Sequence, residues 1–414
     1  TGPFRGAGQP ESSFSIERTM DIIATKLGLD PAEVRRRNLI PPSALPYTTP
    51  TGMKYDSGDF LAPLNRALEL VDYDLWRQAQ RVQRLESKGK LIGIGIATAC
   101  KAAGGGGKSF TSDSKFVITM EGRVQVYTEV SPHGQGLETT FSQIVADVLQ
   151  CLPSQIDILH GDSDMLPRGQ GTFASRSLTV GGSATYVGAV EVKKLLTELA
   201  ADKFGCSLSE IEFNNGYLSM KNSKQDPVSF DQLVSSADTN RNERTDLGLE
   251  VTGTFILDDS VFSSMAHIAV VEVDPDTGRI GFLKYVAVHD CGPMVNPMIV
   301  EGQVHGGIAQ GLGEAIGEIM AYTPEGQPLT GSLMDYHLPL AEDMPQIIFD
   351  TVNTASPMNP LGVRGIGEAP TVATPAAVAN AVADALSSLS VSVPHIPLTP
   401  LNVWNAIHQK SGAD

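Results

Sequence analysis

The chain is poor in cysteine, in basic residues and in long apolar runs, and each shortage narrows its function. Four cysteines occur in 414 residues, Cys100, Cys151, Cys206 and Cys291, and no two have CxxC spacing. Neither a zinc knuckle nor an iron–sulfur cluster can be built from these thiols alone. Scattered thiols in a chain of this size fit a reducing, cytoplasmic setting. Lys and Arg number 30 against 47 Asp and Glu, a formal charge of −17. That balance argues against a nucleic-acid partner and against an anionic membrane surface. No apolar run approaches the roughly 20 residues that a membrane span needs, and no signal-peptide pattern opens the chain. Residue 1 is Thr, and TGPFRGAG reads like the middle of a fold. A fragment, a processed piece or one subunit of a split protein is expected.

What remains is an ordinary globular composition, 41% hydrophobic and 19% charged, with length for two or three domains. Helical spacing of Ile16, Met20, Ile23 and Leu27 predicts a helix over 11–27 with Gly28 as its C-terminal cap. Asp30-Pro31-Ala32-Glu33 starts a short helix to Asn38, and the Pro-rich stretch 41–52 is the best domain boundary. Helices are expected at 59–72, 74–88, 137–149, 180–200 and 298–316. Alternation predicts strands at 91–99, 114–120, 123–130, 155–161, 248–257, 264–273 and 281–290, with Glu121-Gly122 turning a hairpin. Segment 321–360 reads as loop and short strand. Thr374 and Pro375 suit the N-cap and first position of a helix over 375–387. The fold class is α/β (α+β), with mixed sheets and packed helices.

Several motifs have both a plain and a functional reading. AGGGGKS (103–109) fails Walker spacing at Ala102 and leads into a strand, so it is a turn or a substrate-side loop. Gly134, Gln135 and Gly136 precede a helix, where glycines admit a ligand to the backbone and Gln135 can donate and accept. Thr172, Ser175 and Ser177, with Ala174 and Arg176 among them, suit either a phosphate cradle or a serine-rich helix start. HDCG (289–292) crowds three ligand types onto alternating faces and reads as a structural turn. Gln303 lies in a glycine-rich helix that suits close helix packing. Arg5 beside glycines would ordinarily be exposed. Glu368 would ordinarily be a helix-start acid, yet it lies six residues ahead of Thr374, which weakens that reading. Gly365 and Gly367 let its backbone approach a bulky group.

The order of these motifs carries more than any one of them. FRGAGQPE, then GQG, then GDSD…GTFASRS…GGSA, then DCG…NP…EGQVHGGIAQGLG, then GVRGIGEAP resemble one family over nearly the whole chain. That family is the molybdenum-binding (large) subunit of the xanthine dehydrogenase and aldehyde oxidase group of molybdenum hydroxylases, in its C-terminal portion. The resemblance implies lobes around a molybdenum-molybdopterin cofactor, often its cytosine dinucleotide form in bacteria. Residues 1–50 would end the first lobe and 51–414 would form the second. The family's GGGFGGK-like upstream motif is absent, so a chain or segment carrying the N-terminal lobe is expected to complete the site.

By position, Glu368 matches the family's base, which deprotonates a molybdenum-bound hydroxyl ahead of oxygen transfer to an electron-poor carbon. Arg5 matches an arginine that stabilises charge on a heterocycle in purine-oxidising members. Gln135, between Gly134 and Gly136, and Gln303 match glutamines at the pterin or the metal's ligands. Ala174, Ser175, Arg176 and Ser177, next to Thr172, match the stretch at the cofactor's phosphate end. Gly367 stands beside the base, and the Cys100–Gly104 loop follows a strand that walls the substrate pocket. No side chain of this chain is expected to ligate the metal. FRGAG lacks the copper-binding cysteine of the family's carbon monoxide dehydrogenases. Electrons are expected to leave through a [2Fe–2S] subunit and then an FAD subunit. The implied function is hydroxylation of an N-heteroaromatic compound or aldehyde with oxygen from water. The alternative is a non-catalytic cofactor-binding or assembly subunit.

Overall fold

Local turn chemistry sets the first helices. The computed structural model describes residues 2–86, 89–104, 109–237, 248–392 and 395–408. Helix α1 (Gln9–Leu27) stops at Gly28, whose left-handed backbone returns its amide to Ala24 and Thr25. Asp30 caps α2 (Pro31–Asn38) by accepting the Ala32 amide at 2.8 Å. A hairpin of β1 (Tyr47–Thr48) and β2 (Lys54–Tyr55) follows, then α3 (Leu61–Val71) and α4 (Tyr73–Glu86).

Next come β3 (Leu91–Ala103), β4 (Phe110–Ile118), β5 (Val124–Thr128), α5 (Leu137–Leu149), β6 (Ile156–His160) and α6 (Ser183–Phe204). A small sheet of β7 (Ile211–Asn214), β8 (Tyr217–Met220) and β9 (Val228–Ser229) leads into α7 (Phe230–Ser236). Its strands are too short to announce themselves by alternation. The chain continues as β10 (Leu249–Leu257), β11 (Val261–Val273), β12 (Ile280–Asp290), α8 (Pro297–Ile316), β13 (Ile347–Val352), α9 (Ala369–Leu386) and α10 (Pro400–His408). Part of the turn expected at 103–109 (105–108) and the last two residues of the helix expected at 74–88 lie outside the described residues.

Two four-stranded sheets form the frame, ordered β13-β12-β11-β3 and β10-β4-β5-β6. Both are mixed, because β12 pairs with β13, and β5 with β6, in parallel while the other pairs are antiparallel. Residues ahead of the Pro-rich stretch are pinned to the first sheet. Buried Arg35 meets Glu17 at 2.7 Å and donates to the Ile96 carbonyl at 2.9 Å, while Glu17 accepts the Thr98 amide at 3.0 Å.

Helix α9 lies across β3 and β11, and the glycines of LIGIGI explain how closely. A Cβ on Gly93 would fall 1.9 Å from the Ala381 carbonyl, and one on Gly95 would fall 2.1 Å from that of Ala377. On its other side, Cβ atoms at Gly307 and Gly311 of α8 would strike Pro370 and Thr374 at 2.8 and 2.7 Å. The helix begins at Ala369, not at the expected residue 375. Pro370 occupies the first turn, where a missing N–H costs nothing. Thr374 turns its hydroxyl back to the Pro370 carbonyl at 2.8 Å instead of capping. With that earlier start, Ala369–Leu389 is long and apolar enough to cross a membrane by length and composition, a run the residue pattern had not singled out. It is mostly buried against this chain's own sheet and helices.

Gly95→Ala should therefore destabilise the chain by about 3 kcal/mol or more through overpacking. Gly302→Ala, on α8 with nothing within 4 Å of the new Cβ, should stabilise it by roughly 0.5–1 kcal/mol through helix propensity. Denaturant titration of the two variants checks the contrast.

Candidate active site

A cavity of about 880 Å³ opens where the segments leading into five helices converge. Arg5 precedes α1, Gly134 and Gln135 precede α5, and Thr172–Ser177 lead into a π-helical turn (Ser177–Gly182) ahead of α6. Cys291–Asn296 precede α8, and Arg364–Glu368 precede α9. Helix N-termini carry unsatisfied amides and partial positive charge, so their convergence favours an anionic, hydrogen-bonding ligand.

Glu368 holds the N-cap position of α9, but its side chain caps nothing. Instead its Oε2 lies 2.6 Å from Lys101 Nζ and accepts Ser175 Oγ at 3.4 Å, and its Oε1 accepts the Gly6 amide at 3.4 Å. Ser175 Oγ in turn accepts the Glu368 amide at 3.0 Å. Ala174 and Ser175 have φ of 50° and 52°. Two successive non-glycine residues in the left-handed region cost about 1–3 kcal/mol each. The Ala174 carbonyl accepts the Gly104 amide at 3.0 Å, which helps hold the turn.

Arg5 reaches the same corner. Its Nε donates to the Gly367 carbonyl at 2.6 Å, and its outer nitrogens meet Gln303 Oε1 at 3.1 Å and Gln310 Oε1 at 3.4 Å. Burial lowers its pKa from the ordinary arginine value, and the Glu368 carboxylate opposes that shift. The thiol of Cys291, also on the wall, is pushed up to about 12 by burial and by Asp290, so it stays protonated.

Ten of the twelve residues singled out from sequence line this cavity: Arg5, Gly134, Gln135, Thr172, Ala174, Ser175, Ser177, Gln303, Gly367 and Glu368. Gly136 and Arg176 do not. Gly136 is left-handed and packs on α8, where a Cβ would meet Ile299 at 2.5 Å. Arg176 is fully buried between the rings of Phe110 and Phe173 and donates to the Gly171 carbonyl at 3.1 Å. It braces the loop from behind. Gln135 turns its amide onto its own loop, accepting the His133 amide at 2.6 Å.

A profile described as a molybdopterin cofactor-binding domain matches residues 66–345, and a second with the same description matches residues 1–39. The chain belongs to the molybdopterin cofactor-binding family. It is 33% identical over 412 residues to the 6-hydroxypseudooxynicotine dehydrogenase complex subunit gamma of Paenarthrobacter nicotinovorans, covering 98% of this chain and 51% of that protein. It is 31% identical over 408 residues to the carbon monoxide dehydrogenase large chain of Hydrogenophaga pseudoflava, covering 96% and 51%. The crystal structure of quinoline 2-oxidoreductase from Pseudomonas putida 86 superposes with a TM-score of 0.89 at 33% identity, covering 98% of this chain and 53% of that one. The chain thus spans about half the length of the curated relatives it matches.

The wall fits a molybdopterin, which brings a phosphate and a ring rich in hydrogen-bonding groups. Segments leading into five helices face one space, Thr172 and Ser177 line it with their hydroxyl-bearing side chains, and a Cβ at Gly134 would meet nothing within 4 Å. Among the described residues, no group of three or more His, Cys, Asp or Glu side chains could hold an ion by itself.

Lys101 was foreseen only as part of the Cys100–Gly104 loop; most of that stretch is not a loop but the end of β3, which runs on to Ala103, and the strand held the clue. Gly93, Gly95, Ala97, Ala99, Lys101 and Ala103 alternate onto one face of β3, so the lysine shares the face that packs on α9. A lysine there needs a buried acid. Its side chain is 2% exposed, and Glu368 supplies the acid.

A hydrogen-bonded relay supports α9 from beneath. His289 and His267 share a contact between their Nε2 atoms at 2.9 Å, His267 Nδ1 meets the Tyr285 hydroxyl at 2.9 Å, and that hydroxyl donates to Thr374 Oγ1 at 3.1 Å. Among the described residues, His289 Nδ1 has no hydrogen-bond partner. Placing the proton on His289 Nε2 leaves a bare acceptor at Nδ1, whereas the reverse direction would orphan a buried donor. The relay thus runs one way, from His289 through His267, Tyr285 and Thr374 to the Pro370 carbonyl. Burial depresses both imidazoles, His267 well below the ordinary value and His289 to about 3.

Unfolding restores both histidines to an ordinary pKa of roughly 6.5. The stability from burying them neutral is complete above that pH and is lost as pH falls toward about 3. Thermal melts across this range should show a shallower pH dependence for His289→Gln than for the unaltered chain.

Proposed function

We propose that this chain is the C-terminal part of the catalytic large subunit of a multi-subunit molybdenum hydroxylase. It oxidises a C–H bond of an N-heteroaromatic compound or an aldehyde, with water as the oxygen source. The observation that carries this reading is the Glu368 carboxylate. It sits at a helix start without capping it and turns into a cavity walled by helix N-termini. When bound, the molybdenum cofactor supplies Lewis acidity toward oxygen and takes up the electron pair from substrate.

The chain's own residues do the rest. Glu368 accepts a proton as general base, a role that needs a carboxylate on the cavity wall. Arg5 braces the Gly367 carbonyl next to that base and holds Gln303 toward the cofactor side. Thr172 and Ser177, with the amides of their loop, receive the cofactor's phosphate end, and the cofactor is the cytosine dinucleotide form that the family resemblance implies. Four scattered free cysteines without CxxC spacing leave a [2Fe–2S] centre to a partner chain and support a reducing, cytoplasmic setting, and an FAD subunit follows it as the family resemblance implies. The N-terminal lobe comes from a further segment or chain. The FRGAG turn carries no cysteine to bind copper, so carbon monoxide is set aside as substrate although a carbon monoxide dehydrogenase is among the relatives.

Glu368→Gln in the assembled complex should retain molybdenum and pterin by elemental analysis and fluorescence. Turnover in a dye-reduction assay should fall by roughly 100-fold or more. Near-normal turnover would remove the base from this scheme.

A further inference from the structure

Lys101, which is buried, and Glu368, which is partly buried, form an ion pair at the cavity wall, and the two carboxylate oxygens are unequally engaged. Oε2 meets Lys101 Nζ at 2.6 Å and Ser175 Oγ at 3.4 Å, while among the described residues Oε1 meets only the Gly6 amide, at 3.4 Å. Two cations face this carboxylate, Lys101 from β3 and Arg5 from the turn before α1. Arg5 is committed to Gly367, Gln303 and Gln310, which leaves Lys101 as the charge in contact.

We propose that Lys101 is the positioning residue for Glu368, pinning Oε2 so that Oε1 is the oxygen presented to the cavity. This rests on the reading of Glu368 as the base. A glutamate side chain has three rotatable bonds and would otherwise sample several orientations. A short, charge-assisted contact from a lysine almost sealed from water selects one of them. In the step itself, Oε1 takes the proton released by the water that supplies oxygen. The carboxyl becomes neutral and Lys101 keeps its charge. The Lys101–Glu368 pair then passes from neutral to cationic as the proton arrives, which favours negative charge developing on the substrate.

The test uses the assembled complex and the variants Lys101→Met, Glu368→Gln and the double variant. Lys101→Met should lower kcat roughly 10- to 100-fold, the scale of a misplaced catalytic group, with KM little changed. Each single variant should lower the unfolding midpoint because it leaves one buried charge without a partner. The double variant should recover most of that loss while remaining inactive. Should Lys101→Met fail to assemble, Lys101→Ala with added n-propylammonium supplies the second arm, and part of kcat should return. Wild-type kcat in Lys101→Met, simple addition of the two stability losses, or no response to the ammonium ion would each overturn the proposal. An inactive Glu368→Gln beside a fully active Lys101→Met would sink the role of Lys101 alone. An active Glu368→Gln would sink the base itself.

Discussion

Close contact between α9 and the glycines of its neighbours is the constraint on which the rest of the structure depends. Glycines of β3 on one side and of α8 on the other leave no room for even a methyl group. A helix seated this way has one axial position and one rotation, because packed cores resist displacement. Its first residue therefore has a fixed place, and so does Glu368 just ahead of it. The one-way relay from His289 to Pro370 fastens the same end with polar contacts. Glu368 is thus located by the core.

Charge is distributed against the average of the chain. The whole sequence is strongly acidic, yet the cavity wall carries Arg5, Lys101 and Arg364 against the single carboxylate of Glu368. Arg364 is held from behind by Asp56 at 3.7 Å and Asp290 at 3.9 Å. Converging helix N-termini add to the positive side of the balance. An acidic exterior repels anions in general, and a locally positive recess then concentrates those that enter. This arrangement favours a phosphate-bearing cofactor over the nucleic acids that a uniformly basic chain would attract.

Much of this was legible in sequence because its signals are local. Gly28 as a helix stop, Asp30 as a cap, and the alternation in β3, β4 and β5 act within a few residues. The ordered motifs brought most of the cavity wall together on paper. Three features were hidden by tertiary context. The start of α9 moved because Pro370, not Pro375, occupies the first turn, and a threonine that resembles a cap serves the relay. Arg176 looked available to a phosphate, but two phenylalanine rings from flanking segments enclose it. Lys101 lay beyond the expected end of its strand at residue 99, so neither its parity on β3 (Leu91–Ala103) nor the element across from it was in view.

The Arg5–Gly367 hydrogen bond joins residues 362 positions apart, and that span has a consequence for how the protein comes into being. Contacts of such separation close late, after the loop entropy of nearly the whole chain has been overcome. During synthesis, the turn carrying Arg5 and the first strands must wait for the final quarter of the sequence before the cavity has a back wall. A cofactor offered to a growing chain would find at most part of its seat. The wall that faces the cavity is therefore complete only once α9 has docked.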